Sequence, residues 1–131
     1  MLIDTSGWFC IFDTTQPGHS LATSLYEGSR RRLTHSYVIA EFVALAQARK
    51  MLRSDMLRFL KYILKDTEIS VIWVDEPTTI NAIDLLDRRE DKTWSLCDAV
   101  SFVLMDELGL TDALTTDHHF EQAGFVKLLS S

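Results

Sequence analysis

Two cysteines are all the sequence offers, and neither keeps the company that gives a thiol chemistry. Cys10 and Cys97 show no Cys-x-x-Cys spacing and lie in apolar surroundings, which points to reduced core thiols instead of a disulfide or a metal site. Glycine and proline are also scarce, five and two of 131 residues. There is no low-complexity tract, no long linker, and no Gly-rich loop to cradle a phosphate. With no Gly-x-Ser-x-Gly motif and no basic residue near either cysteine in sequence, nucleophilic Ser or Cys catalysis lacks support. No apolar run approaches the ~20 residues that span a bilayer. A strand-like run begins at once, with neither a basic n-region nor a small-residue cleavage site before it, so the expected compartment is the cytoplasm and no membrane partner is expected.

What is present is an ordinary globular composition, 47% hydrophobic and 24% charged, in a chain long enough to bury roughly two-thirds of its extended surface as one domain over residues 1–131. The net charge of -6 is unevenly spread. Residues 30–65 hold nine of the 13 Lys and Arg against only Glu41 and Asp55, whereas residues 75–121 hold twelve Asp and Glu against Arg88, Arg89 and Lys92. Such a division suits a phosphate-binding rim beside a cation-binding centre, and suits two solvated helix faces equally well. Arg49, Lys50 and Arg53 are the candidate residues of such a phosphate-binding rim.

Apolar runs of strand length alternate with helical periodicity. The pattern predicts strands at Met1–Ile3, Arg32–His35, Ile69–Val74, Ala113–Thr116 and Phe125–Leu129. Helices are predicted at Ser20–Tyr26, Ser36–Arg49, Asp55–Lys65, Thr78–Arg89 and Leu96–Leu108, with "GWFCIF" as an apolar first helix ahead of a turn at Gln16-Pro17-Gly18-His19. Strand alternating with helix implies an α/β fold: a three-layer α/β/α sandwich around a central, mostly parallel sheet of about five strands.

In such a sheet, strand ends and the helix starts that follow them share one edge, where ligands bind. Asp4 ends the first strand and Asp117 the "ALTTD" run. Asp98 falls in the first turn of "WSLCDAVSFVLM", and Glu41 in the second turn of "SYVIAEFVALA". Asp4 and Asp117 also suit turn or N-cap positions, and Asp98 stands three residues after Ser95 as in a capping box. Glu41 is harder to dismiss, because an ionised carboxylate among apolar residues costs several kcal/mol unless paired or bound to a cation. Four acids at one edge repel one another, and a divalent cation is the simplest compensation. His118 and His119 are weighed against a ligand role, since adjacent side chains diverge and no third histidine is near.

The segments "LIDTSGW", "HSYVIAEFVALA" and "WSLCDAVSFVLMDELGLTDALTTDHHFEQAGF" together resemble a PIN-domain protein of the type found as ribonuclease toxins in prokaryotic toxin–antitoxin modules. The resemblance spans nearly the whole chain, and the last block is its specific part. It implies a PIN-like nuclease domain over 1–131 and a divalent-metal-dependent endoribonuclease using Mg2+ or Mn2+ that leaves a 5′-phosphate and a 3′-hydroxyl. It transfers to Asp4, Glu41, Asp98 and Asp117 as catalytic metal ligands, with Ser6 and Thr116 as supporting hydroxyls. It further implies an RNA substrate, a small antitoxin partner and a homodimer, for which the apolar first helix is a candidate surface. "DHH" departs from the pattern where a basic residue more often follows the last Asp. The alternative is a non-catalytic RNA- or protein-binding module on the same fold. A phosphatase with an Asp nucleophile is disfavoured, because position 6 is Ser where such an enzyme carries a second Asp.

Overall fold

The alternation of apolar runs and helical stretches folds as the sequence implies. A computed structural model describes residues 1–130, so Ser131, the last position of the expected domain, lies outside the described residues. In chain order the elements are β1 (Leu2–Ile3), α1 (Thr5–Phe12), α2 (His19–Gly28), β2 (Arg32–His35), α3 (Ser36–Ala48) and α4 (Arg53–Lys65). There follow β3 (Ile69–Ile72), α5 (Glu76–Arg88), α6 (Leu96–Leu108), β4 (Asp112–Leu114), α7 (His119–Gln122) and β5 (Val126–Lys127).

Three strands stop short of the predicted limits: β5 is only Val126–Lys127, and β3 and β4 end early for a visible reason. Beyond β3, the Val74 N–H donates to Ser36 Oγ at 2.9 Å; beyond β4, the Thr116 N–H donates to Ser6 Oγ at 2.9 Å. Side-chain acceptors have taken the place of a neighbouring strand, and the ladder ends. The helix α7, only four residues long, carries too little periodicity to be read from sequence.

The sheet is parallel throughout, in the order β3-β2-β1-β4-β5, with Leu2 opposite both Leu33 and Ala113 and Ile3 opposite Leu114. From the central strand β1 the chain builds outward in both directions. The carboxyl ends of β1 and β4 therefore flank the switch point where a ligand crevice opens in an open α/β sheet.

Alternation along the strands divides the core into layers. Ile3 and Leu114 join Trp8, Phe9, Ala22, Val38 and Phe42 on the side of α1 to α4, while Leu2, Leu33 and Ala113 join Phe102, Met105 and Phe120 on the side of α6 and α7. Thr34, buried in the sheet, accepts from Trp8 Nε1 at 3.1 Å and donates to the Ile3 carbonyl at 3.0 Å, so its hydroxyl is satisfied. The first helix departs from expectation: Trp8, Phe9 and Cys10 are buried and Ile11 and Phe12 are half-buried, so most of "GWFCIF" is spent on the core and little is left for association. Gly7 explains how α1 packs so closely. A Cβ at this position would fall on the backbone carbonyl of Leu114, so any larger residue drives α1 away from the end of β4.

Candidate metal centre

Asp4 occupies the N-cap position of α1, in extended conformation, yet its side chain makes no capping bond. The backbone closes the first turn instead, the Asp4 carbonyl accepting from the Trp8 N–H at 3.0 Å. The freed carboxylate is 4% exposed; Oδ2 accepts from Thr115 Oγ1 at 2.9 Å, and Oδ1 is buried with no hydrogen-bond partner. Burial raises the Asp4 carboxyl to about 7, the nearby Thr5 N–H and the Thr115 hydroxyl opposing and the charges of Asp98 and Glu41 adding to the rise. An orphaned buried oxygen beside like charges is the signature of a site that wants a cation.

Glu41 presents its carboxylate from α3, one oxygen lying with one of Asp4 and the Cys97 sulfur so that all three ligand atoms fall within 4.8 Å of one another. Its side chain is exposed, which corrects the expectation of a desolvated carboxylate. Val38 and Phe42 face the core while Glu41 and its neighbours Ala40 and Ala44 lie on the exposed side of α3, and the acid that bears the desolvation cost is Asp4.

Asp98 stands in the first turn of α6 and is buried. The capping box expected with Ser95 is formed, Ser95 Oγ accepting from the Asp98 N–H at 3.0 Å and Asp98 Oδ2 accepting from the Ser95 N–H at 3.1 Å. The same Oδ2 is 2.9 Å from His119 Nδ1, an approach that requires the proton on that nitrogen. Capping thus orients Asp98 without consuming it, since the contacts from the Ser95 N–H and from His119 both fall on Oδ2.

Asp117 joins this group through hydrogen bonds. Its N–H donates to Thr115 Oγ1 at 3.0 Å and its Oδ1 accepts from the His119 N–H at 2.9 Å. His118 Nδ1 and His119 Nδ1 approach that same Oδ1 to 3.7 and 3.5 Å, with ring centroids 4.6 Å apart. The two imidazoles therefore converge on Asp117 instead of diverging, because the short α7 begins there. The hydroxyl that reaches Asp4 is that of Thr115, the neighbour of the expected Thr116. Thr115 is fully buried and links Asp4, Asp117 and Ser6, whose Oγ lies 3.1 Å away, while Thr116 contributes its N–H to Ser6 and lines a neighbouring cavity.

Cys97, whose spacing assigns it no chemistry, has its sulfur beside Asp4 and Glu41. Burial, and then the charges of Glu41, Asp4 and Asp98, push its thiol well above the ordinary range. Of the three candidate cations, Arg49 stands beside Ser6 and Thr116. Its guanidinium lies 4.7 Å from the centroid of the Phe9 ring, and it lines a cavity of about 190 Å³ together with Ser6, Phe9 and Thr116. Lys50 and Arg53 are exposed at the turn from α3 to α4, Lys50 in the left-handed conformation with φ 56°.

The family model described as PIN domain matches residues 1–126. VapC20 of Mycobacterium tuberculosis, a Sarcin-Ricin loop cleaving toxin, superimposes with a TM-score of 0.87 at 25% sequence identity, covering 96% of each chain. FitAcB from Neisseria gonorrhoeae shares the fold, with a TM-score of 0.68 at 15% identity over 96% of this chain and 94% of the other. No curated protein matches significantly in sequence.

Proposed function

Since the chain belongs to the PIN-domain family, we propose that it is a divalent-metal-dependent endoribonuclease acting as the toxin of a toxin–antitoxin pair in the cytoplasm. The observation that carries this reading is the buried Asp4 carboxylate, with one oxygen unpartnered and Glu41 and Asp98 beside it. The donor set fits the cation that such nucleases use. Carboxylate oxygens suit Mg2+ or Mn2+, and repulsion among three acids falls when two positive charges enter. Asp4, Glu41 and Asp98 would hold the ion, and Asp117 would act at its margin, directly or through water. A bound divalent ion supplies Lewis-acid polarisation of a phosphoryl oxygen and a water more easily deprotonated at neutral pH.

The chain's own residues have distinct tasks. Thr115 fixes Asp4 by its hydroxyl, and His119 and Ser95 fix Asp98. Arg49, which lines the Ser6 and Thr116 cavity, and Lys50 and Arg53 at the turn that follows it would form the cationic approach for the RNA backbone. The relative that is a Sarcin-Ricin loop cleaving toxin supports a folded RNA loop as substrate class. A small antitoxin and a second copy of the chain are the proposed partners. The apolar side chains left exposed for them are on α4 and α5 and at the end of β3, among them Leu57, Leu64, Ile80, Ile83 and Trp73. Among the described residues no helix is long and apolar enough to cross a membrane.

Purified protein should cut RNA containing single-stranded loops only with Mg2+ or Mn2+, and Asp98→Asn should lower the rate at least about 100-fold. Equal cleavage in excess EDTA would end this reading. RNA binding without cleavage under any metal would favour the non-catalytic module.

A further inference from the structure

The acidic centre contains one donor that oxygen-seeking ions do not use. Cys97 Sγ lies with one oxygen each of Asp4 and Glu41, the three atoms mutually within 4.8 Å. The group is built on Asp4, which is 4% exposed and keeps one oxygen without a partner. Mg2+ and Mn2+ prefer oxygen throughout, whereas Zn2+ takes thiolate sulfur at about 2.3 Å and carboxylate oxygen at about 2.0–2.2 Å. Ligand atoms around such an ion stand roughly 3–4 Å apart. The contraction required is small and falls to Glu41, the one exposed member of the three. Softness of the sulfur and the rise in affinity from Mn2+ to Zn2+ both favour the thiophilic ion here.

We propose that Cys97 makes this centre a second kind of metal site, in which Zn2+ held by Cys97 Sγ, Asp4 and Glu41 excludes the activating ion and silences the enzyme. The silencing rests on the ribonuclease reading; the binding does not. The other thiol, Cys10, is not a member of this group and serves as the internal control.

Co2+ is the probe, because a sulfur ligand gives it an intense charge-transfer absorption in the near ultraviolet. Titrating the full chain with Co2+ should produce this band, Zn2+ should bleach it, and Mg2+ in large excess should not. Cys10→Ser should retain the band and Cys97→Ser should lose it. No band in the wild type, or a band surviving in Cys97→Ser, overturns the proposal. Should Cys97→Ser fail to fold, Cys97→Ala decides: loss of the band with Zn2+ affinity falling at least about tenfold supports the site, and a surviving band or unchanged affinity overturns it. RNA cleavage with Mn2+ runs in parallel. The band without cleavage removes the ribonuclease reading and keeps the site, and cleavage without the band does the reverse. Where both are found, the Zn2+ concentration that halves Mn2+-dependent cleavage should rise at least about tenfold in Cys97→Ser, and an equal value would overturn silencing.

Discussion

Thr115 Oγ1 donates a hydrogen bond of 2.9 Å to Asp4 Oδ2 across the ends of two neighbouring strands, joining residues 111 positions apart. The bond fixes one oxygen of the most buried acid in the centre and leaves the other free. Thr115→Val keeps the volume and removes the donor. It should weaken Mn2+ binding about 10- to 100-fold, as loss of an orienting partner does at other metal sites. Calorimetric titration with Mn2+ measures this, and an affinity within about twofold of wild type would show that Asp4 is held by packing alone.

The central part of this arrangement is legible in sequence. Strand and helix alternation places Asp4, Glu41, Asp98 and Asp117 at one edge because parallel topology leaves little choice, and Ser95 announces the start of α6. What is not legible depends on distances across the sheet. Thr115 and Thr116 are adjacent hydroxyls, and only the early end of β4 shows that Thr115 is the one turned toward Asp4. His119 reads as a poor neighbour for His118 because adjacent side chains diverge along a strand, but here a helix begins. Gly7 and Cys97 carry no signal at all. A glycine in an apolar helix looks like a weak point until Leu114 is seen beneath it, and a cysteine among apolar residues looks like core until Glu41 leans over it.

Gly7→Ala tests how tightly α1 sits on the sheet. The methyl group has no space between α1 and the Leu114 carbonyl, so the gain of about 1 kcal/mol that Ala ordinarily brings to a helix interior should be reversed. A net loss of about 1–3 kcal/mol is expected in urea denaturation, with weaker Mn2+ binding because Asp4 moves with α1. A variant as stable as wild type would show that the sheet yields at no cost.

Arg49 and Arg53 test the cationic approach. With Arg49 over Phe9 and beside the Ser6 and Thr116 cavity, the double change Arg49→Glu, Arg53→Glu should weaken RNA binding and flatten its salt dependence. The slope should fall by about 0.7 for each phosphate that the protein no longer neutralises. Mn2+ affinity should not change. An unaltered slope would return both residues to the role of a solvated face.

Two buried titrating groups set a test of the centre without RNA or metal. The Asp4 carboxyl is raised by burial from 3.8 to about 7, so the folded apo protein takes up its proton more readily than the unfolded chain does, and stability grows as pH falls from about 7 toward 4. His35 is the reverse. Buried between β2 and α6, with Nε2 2.8 Å from Ser101 Oγ, its imidazole is lowered by burial from 6.5 to about 4, so stability is lost as pH falls through the same interval. Each contribution is on the order of 3 kcal/mol at its limit, and the two oppose one another. Apo wild type in chelator should therefore melt at nearly constant temperature across that interval. Asp4→Asn leaves His35 alone and should lose several degrees as pH falls, whereas His35→Gln leaves Asp4 alone and should gain several. Saturating Mn2+ should make wild type behave like Asp4→Asn in pH dependence, because the bound ion keeps Asp4 ionised. Parallel melting curves for all three proteins in chelator would mean that neither group titrates in the folded state as its burial requires.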